Sequence, residues 1–146
     1  MKEDIIWMEA ILAIFGDVLD HQELSEIVGL NPSTSWNKGD EIFHKTRSGQ
    51  VLKLPVVRKE AAWEYSTGPI QTSIFDEMEE YILKIFYDKA QVIRKYVQER
   101  KLEVKIDVVV EIEGDTMPSI SLSRRFISFL KELDAKIDFD MYLLRD

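Results

Sequence analysis

Four carboxylates in the second half of the chain have the spacing that could support chemistry. Asp138 and Asp140 stand two positions apart in the segment 136–144, which alternates apolar and polar residues. On a strand this spacing puts both side chains on one face, about 7 Å apart, within reach of a hard cation such as Ca²⁺ or Mg²⁺. Asp107 and Glu111 lie in a second alternating segment, 102–113, and join the group if that segment pairs with 136–144 as a neighbouring strand. Acidic residues are mostly exposed, so we interpret the group as a solvated face and predict no metal site.

A second group of candidate residues contains two tryptophans. Trp36 precedes Lys38, Gly39 and Asp40, and this mixture of aromatic ring, cation, flexible backbone and acid is typical of loops that anchor ligands or partners. Tryptophan is usually buried and Lys-Gly-Asp is common in turns, so a structural role is the favoured interpretation. Core packing is likewise the default for Trp63. A small-molecule or metal-dependent enzyme would instead have its pocket near Trp36, Asp40 and Trp63.

The sequence contains no familiar catalytic arrangement. His21 and His44 lie 23 residues apart, without the spacing of a zinc site, and there is no cysteine to act as a thiol nucleophile. No serine lies in a Gly-x-Ser-x-Gly turn, and the six glycines form no phosphate-binding loop. We therefore predict no catalytic residue and no cofactor.

The charge of the chain limits its partners. With 19 basic and 27 acidic residues the net charge is −8, which repels nucleic acid and anionic lipid surfaces and attracts a basic protein. The same excess of acid is also explained by solubility alone. The longest apolar run, 5–15, is shorter than the ~20 residues of a membrane helix. No export signal is visible at residues 1–4, and the lack of cysteine fits a reducing cytoplasm, so we predict a cytoplasmic protein.

The clearest structural pattern runs from Leu102 to Glu113. Apolar residues at even positions alternate with mostly charged residues at odd positions, which predicts a strand with one face against helices and one face in water. We therefore predict one α+β domain, 1–146, built as a twisted, mainly antiparallel sheet with helices packed largely on one face.

The remaining pattern predicts the following elements: strands at 5–15 (central, apolar on both faces), 41–46 and 50–57 (a hairpin around Arg47-Ser48-Gly49, with Pro55 at an edge), 61–66, 118–122 and 136–144; helices at 21–28 (capped by Asp20 and Gly29), between Ser73 and Arg100 (one kinked helix or two, with Ser73 and Asp88 as caps), and from Ser123 to Leu133.

Several segments, taken in order, resemble one bacterial family of domains of unknown function, number four-two-seven-nine in that series. They are Phe15-Gly16-Asp17 with Leu19, the helix 24–30 leading into Pro32, residues 36–40, Trp63, Asp76-Glu77, residues 118–123 and residues 133–142. The chain departs from the family pattern at Leu133-Asp134-Ala135, where the last helix ends and the pattern prefers a glycine. The resemblance implies a fold and a bacterial cytoplasmic setting, and the family has no agreed activity.

These observations favour a non-enzymatic protein-binding domain. Its most concrete form is an immunity-like protein that masks a basic toxin or effector, with Trp36, Asp40, Asp107, Glu111, Asp138 and Asp140 as candidate binding residues. The alternatives are the enzyme described above and a structural module that forms homo-oligomers, because Pro55 alone does not protect a sheet edge from pairing. The oligomeric state is left open by the sequence.

Overall fold

A computed structural model of the chain describes residues 4–46 and 48–144. These residues form a six-stranded sheet, a separate two-stranded sheet and helices. In chain order the elements are β1 (Ile5–Gly16), α1 (His21–Val28), β2 (Thr34–Trp36), β3 (Glu41–Lys45), β4 (Val51–Val57), β5 (Ala61–Ser66), β6 (Ile70–Gln71), α2 (Phe75–Phe86), a 3₁₀ turn (Tyr87–Lys89), α3 (Ala90–Glu99), β7 (Glu103–Glu113), α4 (Arg124–Leu133) and β8 (Lys136–Leu144).

The large sheet is built around β1 and is mainly antiparallel. Its strand order is β2-β5-β1-β7-β8, and β6 continues the line of β5 along β1. The pairs β2/β5, β5/β1, β6/β1 and β1/β7 are antiparallel, whereas β8 lies parallel to β7 after the chain has crossed over through α4. The predicted α+β class is confirmed, and so is the central position of β1.

Alternation along β1 and β7 puts the helices on one side of the sheet. The even-numbered residues of both strands, such as Met8 and Val108, are buried, and those of β7 match the predicted apolar face. Trp63 and Tyr65 of β5 pack on the same side, where Trp63 donates a hydrogen bond to Ser25 of α1 at 3.0 Å. This side is the core of the molecule, because water is excluded from the apolar faces of sheet and helices together.

Aromatic contacts join α2, α4 and β8 within this core. The Phe75 ring of α2 lies 5.7 Å from the Phe126 ring of α4 and 5.2 Å from the Phe139 ring of β8, edge to face in both cases. Such pairs add about 0.5–1.5 kcal/mol beyond the area that they bury. The crossover that brings β8 beside β7 is therefore held by the same residues that fill the core.

Two predicted helix starts are confirmed, and two are wrong. Asp20 accepts from the Glu23 N–H at 3.1 Å and Ser123 accepts from the Phe126 N–H at 3.1 Å, as capping residues do. Ser73 and Asp88 do not cap helices: α2 begins at Phe75 after Ile74, and α3 follows Lys89 without a side-chain cap. At the start of α2 the Phe75 N–H is instead bound by the Ser119 carbonyl at 2.9 Å, which removes the need for a serine cap.

Three other expectations need correction. The predicted strand 118–122 forms only an isolated bridge between Ser119 and Ile74, because this segment binds the start of α2 and not a sheet edge. The predicted hairpin forms as β3 and β4 but makes a sheet of its own, and Arg47 of its predicted turn lies outside the described residues. The strand predicted at 136–144 is not half-buried over its whole length: Met141 and Leu143, on its apolar face, are exposed because the helices do not cover this end of β8.

Candidate functional site

The side of the large sheet opposite the helices is the candidate site. We call it the open face, and it is formed by the odd-numbered residues of β1 and β7 and the even-numbered residues of β2, β5 and β8, because directly paired residues share a face. Most of these residues are partly or fully exposed, although Ala13 and Ala62 are buried.

Carboxylates dominate the open face. It carries two lysines, Lys105 and Lys136, against eight acids: Glu9, Glu64, Glu103, Asp107, Glu111, Glu113, Asp138 and Asp140. The two lysines are already paired, since Lys105 Nζ lies 3.2 Å from Asp107 and Lys136 Nζ lies 3.5 Å from Asp138. The remaining charge is negative over most of the surface.

Four of the six candidate binding residues come together on this face. The parallel register places Asp107 directly beside Asp138, and Asp140 follows two residues further along β8, on the same face. Glu111 lies four residues from Asp107 on the same face of β7, beside Tyr142. Adjacent strands are about 4.8 Å apart, so the carboxylates form a continuous patch. Within residues 4–46 and 48–144, however, no three acidic or histidine side chains converge as a metal site requires.

Glu64 lies on the open face, and both its burial and a neighbouring acid oppose ionisation of its carboxyl. Its partial burial raises the pKa of the Glu64 carboxyl above the usual value, and the nearby negative charge of Asp107 raises it further. Lys105 and Arg58 act in the opposite direction but do not reverse the shift. A cationic group brought to this position by a partner would therefore relieve an unfavourable interaction.

Apolar side chains occupy the middle of the open face. Trp7, Ile11 and Phe15 of β1 and Val109 of β7 are partly exposed there, and Lys105 Nζ lies 5.4 Å from the centre of the Phe15 ring. Glu9 among them accepts a hydrogen bond from the Ser66 hydroxyl. The face thus combines an apolar strip along β1 with an acidic half on β7 and β8.

Trp36, Asp40 and Trp63 are separated by the structure. Trp63 is fully buried on the helix side, whereas Trp36 pairs with Ala62 and lies at the edge of the open face, under the Arg58 guanidinium at 3.7 Å. Asp40 lies in the turn after β2, where it accepts from the Asn37 N–H at 2.8 Å. The two tryptophans are on opposite sides of one sheet and cannot line one pocket, and Asp40 has a structural role in closing its turn.

Sequence reasoning missed the part of the site that β1 contributes. Trp7, Glu9 and Phe15 were not candidates, because a strand that is apolar at both odd and even positions predicts burial on both faces. Glu9, the one charge in that run, is the signal that the odd face meets water. Lys105 was likewise missed, although it stands between acids in the predicted strand.

A cleft of about 420 Å³ opens at one end of the open face. It is bordered by Phe15, Lys105, Lys136 and Asp138 on the sheet and by Arg94 on α3. The two lysines are engaged in the ion pairs described above, and Arg94 donates to the Lys131 carbonyl at 3.4 Å. The cleft therefore extends the polar end of the open face and offers charged contacts more than a reactive group.

Comparison with known families identifies the chain. A family model described as "Domain of unknown function (DUF4279)" matches residues 6–144. The chain belongs to this family. The resemblance seen in the sequence is thereby confirmed, and the match reaches from β1 to β8, so the whole open face lies within the DUF4279 domain. No curated protein and no solved structure matches the chain. No helix in the described part of the DUF4279 domain is long and apolar enough to cross a bilayer.

Proposed function

We propose that this DUF4279 domain is a non-enzymatic binding protein whose open face binds a basic partner protein. Its most concrete form is an immunity-like protein of the bacterial cytoplasm that masks a basic toxin or effector. The observation that carries the proposal is the composition of the helix-free side of the sheet, where eight acids and two lysines surround a strip of aromatic and aliphatic side chains.

The arrangement of the open face supports binding to protein. A typical protein interface has an apolar centre with aromatic residues and a polar rim. Trp7, Phe15 and Val109 would supply the apolar contact, and the acids of β7 and β8 would select a partner with lysines and arginines in matching positions. Long-range attraction between opposite charges also speeds the encounter of the two proteins.

The test uses a matched pair of charge variants. Asp107→Asn with Asp138→Asn removes two charges from the open face, and Asp76→Asn with Asp88→Asn removes two exposed charges from the helix side. Each immobilised protein is incubated with a lysate of the native host at low salt, and retained proteins are identified by mass spectrometry. The partner is then purified, and its affinity for each variant is measured by calorimetry.

We expect one basic protein to be retained by the wild type and by the helix-side variant. The open-face variant should bind it about tenfold more weakly, and high salt should weaken the wild-type complex because it screens exposed charges. Retention of the same protein with unchanged affinity by the open-face variant would show that this surface is not the binding site. A partner that is acidic or neutral would contradict the proposed selectivity.

A further inference from the structure

The hairpin formed by β3 and β4 exposes apolar side chains that its own chain leaves largely uncovered. All seven residues of β4 are exposed, and the two strands contact chiefly each other. Six large apolar residues of the hairpin are between 37% and 60% exposed: Phe43, Val51, Leu52, Leu54, Val56 and Val57. Strand alternation and the pairing of Phe43 with Lys53 put Leu52, Leu54 and Val56 on one face of the hairpin and Phe43, Val51 and Val57 on the other. An isolated two-stranded hairpin is marginally stable in water, and exposed apolar side chains on such an element mark an interaction surface. This hairpin therefore needs an occupant for its surface.

The charge of the hairpin is opposite to that of the rest of the chain. The segment from Glu41 to Lys59 contains one acid and five bases. The remainder contains 26 acids and 14 bases, a net charge of −12, and the open face is its most acidic sheet surface. One chain thus presents a basic apolar element and an acidic apolar face, which match each other in both charge and polarity.

We infer that the hairpin of one copy of this chain docks on the open face of a second copy. Two copies can exchange their hairpins reciprocally about a twofold axis, which covers one face of each hairpin and both open faces in one closed dimer. The inference rests on the proposed function, because it uses the same face, and it adds that a basic partner must displace the second copy. Self-association would then regulate access to the open face.

The root of the hairpin is suited to this exchange. β3 follows β2, at the edge of the open face, after the turn 37–40. Two hydrogen bonds fix the base of the hairpin: the Gly39 N–H donates to the Arg58 carbonyl at 2.8 Å, and the Arg58 N–H donates to the Asp40 carbonyl at 2.9 Å. A seven-residue strand such as β4 is about 23 Å long, whereas the four strands β5, β1, β7 and β8 together are about 14 Å wide between their outer axes. The hairpin is therefore long enough to cross the open face of a partner.

Charge reversal on each surface separately provides the test. The hairpin variant carries Lys45→Glu, Lys53→Glu and Lys59→Glu, and the face variant carries Asp107→Lys, Asp138→Lys and Asp140→Lys. The wild type, each variant and an equimolar mixture of the two variants are studied by sedimentation velocity over a concentration series at low salt. Circular dichroism and the urea midpoint establish that each variant is folded, and Val51→Ser with Val56→Ser provides a second hairpin variant without any change of charge.

We expect the wild type to dimerise and each charge variant alone to dimerise at least about tenfold more weakly. The mixture should regain the dimer, because the acidic hairpin of one variant meets the basic face of the other. The apolar variant should also weaken the dimer. A wild type that stays monomeric throughout the series overturns the inference, whether the hairpin folds onto its own open face or binds another protein. A dimer that all three variants form equally well overturns it too.

The outcomes separate this inference from the proposed function. A monomeric wild type that still binds a basic protein through the open face leaves the proposed function intact and removes only the dimer. A dimer whose open face binds no other protein supports the dimer and removes the proposed function.

Discussion

Among residues 4–46 and 48–144, two residues other than glycine adopt the left-handed backbone conformation, and each follows the end of a helix. Asp134 has φ 53° at the end of α4, and Lys101 has φ 56° after α3. The Asp134 N–H binds the Lys131 carbonyl at 3.0 Å and the Ala135 N–H binds the Leu130 carbonyl at 2.9 Å, which is the hydrogen-bond pattern that glycine usually completes. Asp134 therefore fills a glycine position at some conformational cost.

We predict that Asp134→Gly stabilises the protein by about 0.5–1 kcal/mol, because glycine adopts this conformation without a Cβ clash. Urea unfolding should show a higher midpoint with an unchanged slope. Glu132→Gly, within the right-handed part of the same helix, is the control and should lower stability by about 1 kcal/mol. Equal losses for both variants would contradict the assigned role of Asp134.

Glu64 gives a prediction for pH dependence. Burial and the charge of Asp107 raise the pKa of Glu64 in the folded protein above the usual 4.5. Between the unfolded and the folded pKa of Glu64, the folded state therefore binds more protons than the unfolded chain. The free energy of unfolding falls as pH rises through the folded pKa. Glu64→Gln keeps the size of the side chain without the charge, so we expect it to be more stable than the wild type at neutral pH.

The difference between Glu64→Gln and the wild type should disappear below the unfolded pKa of Glu64, where both side chains are neutral. Urea unfolding at a series of pH values measures this directly. Glu113→Gln removes an exposed charge from the same face and isolates the contribution of burial. A stabilisation by Glu64→Gln that is as large at acidic as at neutral pH would exclude a charge effect.

At the level of elements, a buried carboxylate links α2 to the start of α4. Glu79 is 4% exposed, and its carboxylate accepts a hydrogen bond from the Ser123 N–H at 3.0 Å. Ser123 in turn caps α4 through the Phe126 N–H. Glu79 thus fixes the position at which the chain enters the crossover to β8.

We predict that Glu79→Ala lowers stability by about 1–3 kcal/mol, because it leaves the Ser123 N–H without its partner and opens space in a buried site. Glu80→Ala, at the next and exposed position of α2, should change stability by less than about 0.5 kcal/mol. Thermal unfolding followed by circular dichroism compares the two variants. A similar effect for both would mean that the hydrogen bond is not responsible.

The elements that local pattern determines were predictable. The alternation of β7 and the caps of α1 and α4 follow from residues within a few positions of each other. The parallel pairing of β8 and the isolation of the β3–β4 hairpin were not, because these depend on which strands meet in space. The failed strand at 118–122 shows the same limit: its backbone is bound by the start of α2, far away in sequence.

The acids of the candidate site were predictable from local pattern, but its apolar residues on β1 were not. Asp107, Glu111, Asp138 and Asp140 follow from the period of their strands, provided that β7 and β8 are neighbours. The contribution of β1 was hidden, because an apolar strand gives no sign of which face a helix covers. The opposite orientations of Trp36 and Trp63 depend on the short pairing of β2 with β5, for which a segment of three residues has no distinctive pattern.

For the whole molecule, the net charge of −8 predicts how stability responds to salt. Repulsion between the carboxylates of the open face opposes folding. Added salt weakens this repulsion, and at 0.1 M interactions between exposed charges more than about 10 Å apart are largely screened. We expect the melting temperature to rise as sodium chloride is added at neutral pH and low protein concentration. The Asp107→Asn, Asp138→Asn protein should show a smaller rise. A melting temperature that falls with salt would mean that favourable ion pairs outweigh the repulsion.

The central position of β1 has a consequence for synthesis. β1 precedes every other strand, yet Ile5 pairs with Glu113 and Phe15 with Glu103, so the apolar middle of the sheet leaves the ribosome long before β7 exists. Contacts between such distant segments form slowly, and unpaired apolar strands aggregate while they wait. A nascent chain that ends before β7 should therefore depend on chaperones and accumulate as insoluble material when they are depleted.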